Sequence, residues 1–406
     1  MEKRNKPTED KVSGGRPPSA APGFASRLGP LLFLTAIFCL NFISRIVLAP
    51  LMPAIEADLG LGHAEAGSLF LVLSLGYFVS LMGSGFVSSR LTHRRTIVLS
   101  VAAVGLALLG TCFSGSLWTV RLGLLLLGMA AGLYLPSGMA TLSELVPARH
   151  WGKAVAVHEL APNVSFIAAP LIAEAFLESI SWRGVLAVFG VVCLLLALAF
   201  ARFGKGGGFR GDTPTFSAMK TLFGKRDFWI IMVLFCLGIS GTLGLYAMLP
   251  LYLVSERGIG RSWANTLVAL SRITSLGMAF VAGWLSDRFG PRWTLMTVLL
   301  LTGATTLILG VGPTPWVIAM LFFQPLAAVC FFPPGFAALS SVGPPALRGM
   351  AVSVTVPVAF MLGAGALPAG IGLTGDLGSF GWGIGLAGIL IMAGSILTFF
   401  LRLDAD

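Results

Sequence analysis

Apolar stretches follow one another along this chain near residues 28–52, 64–87, 95–114, 118–140, 152–176, 183–203, 227–253, 264–286, 293–312, 315–338, 350–373 and 380–402. Each is long enough to cross a hydrocarbon layer of roughly 30 Å as a helix rising about 1.5 Å per residue. Lipid offers no hydrogen bonds, so such segments must satisfy their own backbone N–H and C=O groups, and consecutive apolar runs of this length do so as helices. The sequence therefore predicts an all-α polytopic membrane protein with twelve transmembrane helices. Composition agrees: 56% hydrophobic and 11% charged residues lie well away from the roughly one-quarter charged content of soluble domains.

The formal net charge of +10 does not point to nucleic acid, because the basic residues sit in short linkers and not on an aromatic-interleaved face. Arg121, Arg183, Arg257 and Arg261 fall on one set of loops and span ends. Nearly all the other lysines and arginines fall on the opposite set, with both termini. The positive-inside rule places that second set in the cytoplasm, which gives a multi-pass protein of a cytoplasmic (inner) membrane. Residues 1–27 are hydrophilic and the first apolar run is too long for a signal-peptide core. A disordered cytoplasmic tail is expected there, with a second short tail at 403–406. The five cysteines, Cys39, Cys112, Cys193, Cys236 and Cys330, all lie inside apolar runs without CxxC spacing and are read as small hydrophobes. Walker sequences, metal-ligand clusters, cofactor fingerprints and nucleophile–base constellations are all missing, so direct use of ATP, a cofactor or enzymatic chemistry is not expected.

Between the sixth and seventh runs comes the longest internal loop, the glycine-rich stretch from Arg202 to Asp227. It divides the chain into six-helix bundles at 28–203 and 227–402 joined by a cytoplasmic linker at 204–226. Thr215 to Phe223 is amphipathic enough for a short helix on the membrane surface. The halves resemble each other: Pro136–Val157 and Pro333–Val354 align without a gap at an offset of 197 residues. Parallel repeats of this kind place a binding site near the bilayer midplane between them.

At nearly the same offset two loops share a motif. After the second run the chain reads Gly85-Phe-Val-Ser-Ser89-Arg90-Leu-Thr92-His93-Arg94-Arg95. After the eighth it reads Gly283-Trp-Leu-Ser-Asp287-Arg288-Phe-Gly290-Pro-Arg292. These resemble the two copies of the GxxxDRxGRR motif of the major facilitator superfamily, and the resemblance covers nearly the whole chain. Ser89 and Thr92 replace the usual Asp and Gly in the first copy. The resemblance implies the superfamily fold of two pseudo-symmetric six-helix bundles, with spans one, four, seven and ten lining a cavity and two, five, eight and eleven beside them. It also implies a conformational gate at Gly85, Arg90, Arg94, Gly283, Asp287, Arg288, Gly290 and Arg292, where an Asp/Arg pair latches the cytoplasmic face in one state. The competing reading is that these basic residues only enforce topology. Arg121 precedes Gly128-Met-Ala-Ala-Gly132 about one turn earlier than the family's span-four arginine, and the glycine-proline signature of the superfamily's drug/proton antiporters is missing from span five.

Two arginines lie well within spans, Arg45 and Arg272. A guanidinium there costs about 2.5 to 3.5 kcal/mol even on insertion scales, so each needs a partner. One reading is that both approach the cavity and bind a small anion through paired donors, as arginines do in the organophosphate and oxalate/formate carriers this chain resembles. The other is internal neutralisation, of Arg45 by Glu56 and of Arg272 by Glu159. Asn41, Tyr77, Tyr134, Asn163, Tyr246, Gln324 and Phe331 are further cavity candidates, or else interhelical hydrogen-bonding and packing groups. His158 and Glu159 in span five could carry a coupling proton. Glu174 and Glu178, close to the outer end, are read as solvated.

The function these features imply is secondary active transport of a small carboxylate-type organic anion, as proton-coupled uptake by a monomer in the lipid bilayer through rocker-switch alternating access. An exporter of amphipathic compounds is the alternative, and a non-transporting sensor on the same scaffold a more distant one.

Overall fold

The protein is described here by a computed structural model covering residues 24–211, 217–342 and 348–402. The expected tails fall largely on residues 1–23 and 403–406, outside the described residues. Twelve spans are present: α1 (Arg27–Leu59), α2 (His63–Arg90), α3 (His93–Cys112), α4 (Leu117–Leu145), α5 (Ala148–Leu177), α6 (Trp182–Phe203), α7 (Arg226–Ser255), α8 (Arg261–Phe289), α9 (Pro291–Val311), α10 (Thr314–Ser340), α11 (Arg348–Asp376) and α12 (Phe380–Phe400). Several run past the hydropathy limits. The clearest is α1, which continues as helix through Pro53 and Glu56 to Leu59, because a helix need not stop where lipid does. The twelve-span count puts both chain ends at one face of the bundle, the terminal face; the other is the far face.

Exposed tryptophans mark two levels. Trp118, Trp263, Trp316 and Trp382 lie at span starts on the far face, and Trp229, Trp284 and Trp293 lie toward the terminal face. Amphipathic indoles prefer the two membrane–water interfaces.

Seven spans are interrupted, and four share a cause. The helix breaks at Val47, Leu133, Glu159 and Cys330, each three residues before a proline, namely Pro50, Pro136, Pro162 and Pro333. Proline has no N–H and its ring crowds the carbonyl four residues earlier, so the turn before it opens. In α7 and α11 the irregularity is instead a π-helical turn, at Ser240–Gly244 and Phe360–Ala366, and α8 loosens over residues 274–277. The remaining spans, α2, α3, α6, α9 and α12, carry no such break.

Within each half, glycines let helices touch backbone to backbone. A Cβ on Gly128 of α4 would fall 2.0 Å from the Leu73 carbonyl of α2, and one on Gly310 of α9 2.6 Å from the Gly381 carbonyl of α12. The first part of the linker is fastened to the N-terminal half. His93 N–H donates to the Phe209 carbonyl at 3.0 Å, Arg94 N–H to that of Gly207 at 2.8 Å, and Gly211 N–H to that of Ser88 at 2.9 Å. Gly207 holds φ +71° there, a conformation that favours glycine. The expected amphipathic helix of the linker is present as Ser217–Phe223.

The α2–α4 contact yields a prediction. Gly128→Val should lower the melting temperature of the purified protein, by an overpacking cost of about 1–3 kcal/mol or more. Gly83→Ala, with nothing within 4 Å of the added Cβ, should leave it unchanged.

Candidate functional site

Where the two halves meet, a cavity of about 40 Å³ is lined by Arg45, Ser74, Tyr77, Tyr246 and Phe360, among others. Arg45 is carried on α1 two residues before the Val47 break, and only 7% of it is exposed. Its guanidinium carbon lies 4.4 Å from the Tyr77 ring centre, 4.9 Å from Phe42 and 5.8 Å from Phe360. Among the described residues Arg45 forms no salt bridge, and its buried Nε has no hydrogen-bond partner. Cation–π contacts give about 0.5–2 kcal/mol each, against an effective desolvation penalty of several kcal/mol for a buried ion. The rings and Tyr77 offset part of that penalty, and no carboxylate among the described residues supplies the rest.

Arg272 is equally buried and also lies outside every salt bridge among the described residues. Its guanidinium stands 4.6 Å from the Phe166 ring and 5.0 Å from Tyr246, and Nη2 donates to the Thr242 carbonyl at 3.3 Å. It is not among the cavity-lining residues: the Tyr246 ring, which does line the cavity, also contacts Arg272, and the Tyr246 hydroxyl is buried without a partner. The suggested internal partners are engaged elsewhere. Glu56 pairs with His63 at 2.9 Å, and Glu159 lies 3.6 Å from His158.

Of the other candidates, Tyr77 and Tyr246 line the cavity with Arg45. Asn41 donates to the Ala131 carbonyl at 3.3 Å, Asn163 to that of Glu159 at 2.9 Å, and Gln324 to that of Gly241 at 2.7 Å. Phe331 is buried edge-on against Phe235. His158, fully buried at the end of the helical segment before the Glu159 break, stacks on Phe38 at 4.5 Å. Its Nε2 meets the Tyr134 hydroxyl at 3.1 Å, and that hydroxyl donates onward to the Leu34 carbonyl at 2.9 Å. Glu159 is half exposed. His158 Nδ1, 3.6 Å from the Glu159 carboxylate, has no hydrogen-bond partner among the described residues.

Packing between the halves is concentrated in far-face segments: the end of α1 with that of α7, the end of α5 with the start of α8, and the start of α2 with the end of α11. Glu174 was read as solvated, but it is buried in this seam and accepts from Arg261 at 3.1 Å and from Asn265 at 2.9 Å. Asp376 accepts the His63 and Ala64 amides at the N-terminus of α2, at 2.8 and 3.0 Å. Toward the terminal face, the end of α4, the start of α5 and the ends of α8 and α10 pack chiefly within their own halves. There Asp287 and Arg288 are exposed and form no salt bridge among the described residues. The last motif arginines do matching work in the two halves. Arg94 donates to the Ala201 carbonyl near the end of α6, and Arg292 to that of Phe399 near the end of α12, at 2.9 and 2.8 Å. Cations belong at helix C-termini, where carbonyls are left over. Gly290, at φ +83°, makes the turn into α9, while Gly85, Arg90 and Gly283 are helical residues at the ends of α2 and α8.

Two six-helix halves packed together on the far face, with Arg45 in a small cavity between them, have the build of a membrane transporter. Sequence comparison makes this specific: the profile of the Major Facilitator Superfamily matches residues 34–277 and 255–406, and the chain belongs to that superfamily. It is 24% identical over 280 residues to a probable L-galactonate transporter of Escherichia coli K12, a match spanning 63% of this chain and 60% of that relative's length. It is 25% identical to the multidrug resistance protein MdtL of Escherichia coli O81 (strain ED1a), over 86% of this chain and 88% of the relative. Its fold matches a bacterial homologue of the human lysosomal transporter Spinster, in an inward-facing and occupied conformation, with a TM-score of 0.80 and 17% identity over 94% and 97% of the two chains. The D-xylose–proton symporter matches with a TM-score of 0.75 and 16% identity over 94% and 99%.

The far-face seam supplies a second prediction. Glu174→Ala leaves Arg261 and Asn265 without their shared acceptor, so the closed far face should lose population. Spin labels at Glu178 and Ser262, both exposed, should show a longer distance component than in the parent protein.

Proposed function

We propose that this transporter moves a small organic anion of the carboxylate type, taken up with protons by rocker-switch alternating access. The observation that carries the reading is Arg45, a guanidinium in the interior cavity without a counter-charge among the described residues. The ligand carboxylate takes Arg45 as its anchor, with the Tyr77 and Tyr246 hydroxyls beside it, and Phe360 covers an apolar part of the ligand. Arg272 adds positive potential from behind Tyr246. Resemblance to a probable L-galactonate transporter agrees with a sugar acid or similar anion.

The coupling proton is held at Glu159 and His158, and His158 is hydrogen-bonded to Tyr134 of the neighbouring span. The termini lie in the cytoplasm of a cell with an inner membrane, so the arrangement described here, sealed on the far face, is the one facing inward. The protein works as a monomer.

A second reading, export of amphipathic compounds, is favoured by the aromatic lining around Arg45 and by the long match to MdtL. The two separate cleanly. Thermal-shift screening against sugar acids, aromatic carboxylates and phosphate esters, followed by uptake in proteoliposomes, tests the first. Arg45→Ala should abolish both binding and uptake, and Arg45→Lys should reduce uptake at least about tenfold, since an ammonium lacks the paired planar donors of guanidinium. Uptake undiminished in Arg45→Ala would refute the anion site, and increased drug sensitivity on deletion would support export.

Coupling has its own readout. An inward proton gradient should accelerate uptake by the parent protein. Glu159→Gln should lose that acceleration while retaining exchange of labelled for unlabelled substrate. Gradient-driven uptake that survives in both Glu159→Gln and His158→Ala places the proton elsewhere.

A further inference from the structure

The interruption of α7 is of a different kind from the proline breaks. Its π-turn spans Ser240–Gly244, while the proline of this half-span, Pro250, lies six residues further on. A π-turn inserts one residue into the helix and upsets the regular pairing of carbonyls with amides four residues on. In a membrane interior such carbonyls need other donors. Other spans add donors here: Gln324 of α10 donates to the Gly241 carbonyl at 2.7 Å, and Arg272 of α8 donates at 3.3 Å to the Thr242 carbonyl, which also accepts the Leu245 amide of α7 itself. The Thr242 hydroxyl bonds back to the Gly238 carbonyl at 3.0 Å.

On another side the turn abuts the π-turn of α11. A Cβ on Gly244 would lie 2.1 Å from the Gly363 carbonyl, and one on Gly363 would lie 2.8 Å from the Ser240 amide. Two residues beyond the turn, Tyr246 reaches the cavity with a free hydroxyl. The donors are unequal. The Gln324 bond is short, whereas the Arg272 bond is long, and Arg272 retains a buried Nε without a partner.

We propose that the π-turn at Ser240–Gly244 is the hinge of α7, that Gln324 and Arg272 are positioning residues holding it, and that an anion in the cavity releases it by drawing Arg272 from the Thr242 carbonyl. A formal anion is a stronger acceptor for guanidinium than a neutral carbonyl, because it brings a full opposite charge and, as a carboxylate, can take two parallel N–H donors at once. Displacement of the Tyr246 side chain, which lines the cavity and whose ring contacts Arg272, is the route by which the anion comes within reach. The trigger rests on the anion reading above; the holding of the hinge does not.

The test therefore begins without ligand. In a chain whose five cysteines are replaced by alanine, spin labels at Lys153 and Phe289 report the separation of α5 and α8 at the terminal face. Arg272→Ala and Gln324→Ala should each shift and broaden the distance distribution of the ligand-free protein. Arg45→Ala should keep the parental distribution although it loses anion binding. A residue that merely packs would lower the melting temperature and leave the distribution alone.

Should Arg272→Ala not fold, Gln324→Ala read by hydrogen exchange carries the same question: amides of 240–246 should exchange at least about tenfold faster than in the parent. Parental distances in both hinge variants, or unchanged exchange in Gln324→Ala, would overturn the hinge. For the trigger, L-galactonate or another sugar acid that the parent binds should shift the parental distribution, and Arg272→Gln, which keeps a donor without the charge, should not respond. A full response in Arg272→Gln would overturn the trigger. Failure of the anion reading itself shows separately, as transport unaffected by Arg45→Ala.

Discussion

Every backbone amide and carbonyl of this bundle must find a partner without help from lipid, and that requirement decides where the chain is allowed to be irregular. A regular helix meets it alone; a broken one needs donors from its neighbours. The interrupted spans are α1, α4, α5, α7, α8, α10 and α11, drawn from the two groups that the superfamily layout places at or beside the cavity. The spans α3, α6, α9 and α12 run unbroken behind them. The π-turn of α7 shows the link most directly, since Gln324 and Arg272 reach its carbonyls from other spans.

The same accounting separates the buried polar residues by role. Asn41, Tyr134 and Gln324 donate to backbone carbonyls of neighbouring spans, so their hydrogen-bonding capacity is partly used. Arg45 is different. It faces aromatic rings and a cavity, its Nε is unpartnered, and no carboxylate is paired with it among the described residues. Burial alone does not distinguish these groups, because all are nearly inaccessible.

Much of the architecture was legible in the sequence because hydropathy reports directly on lipid exposure, and the repeated segment at an offset of 197 residues reports on duplication. Arg45 and Arg272 were legible for a related reason, since a charge inside an apolar run stands out whatever its partner. Their surroundings were not. Glu56 and Glu159 look like partners along the sequence, but His63 sits one short turn from Glu56 and His158 is adjacent to Glu159. Nearby chain thus claimed both carboxylates before the bundle could. Glu174 resembled a solvated span end because nothing local shows that Arg261 and Asn265 of the other half lie against it. Four breaks lie three residues before Pro50, Pro136, Pro162 and Pro333, but Pro53, Pro170, Pro250, Pro325 and Pro357 sit inside continuous helix, so proline alone does not locate a break.

Asp376 holds the two leading amides of α2, which is the job of a helix cap, but it does so from the opposite half of the molecule. A cap made within one half would survive any rocking motion. Under the rocker-switch motion proposed above, this one is surrendered when the far face parts, and because the bonded atoms lie at an exposed edge, water can step into the vacated positions at little net cost. Closure at this point is therefore easily reversed, and the energetic bias between the two orientations of the carrier is left to groups that water cannot reach.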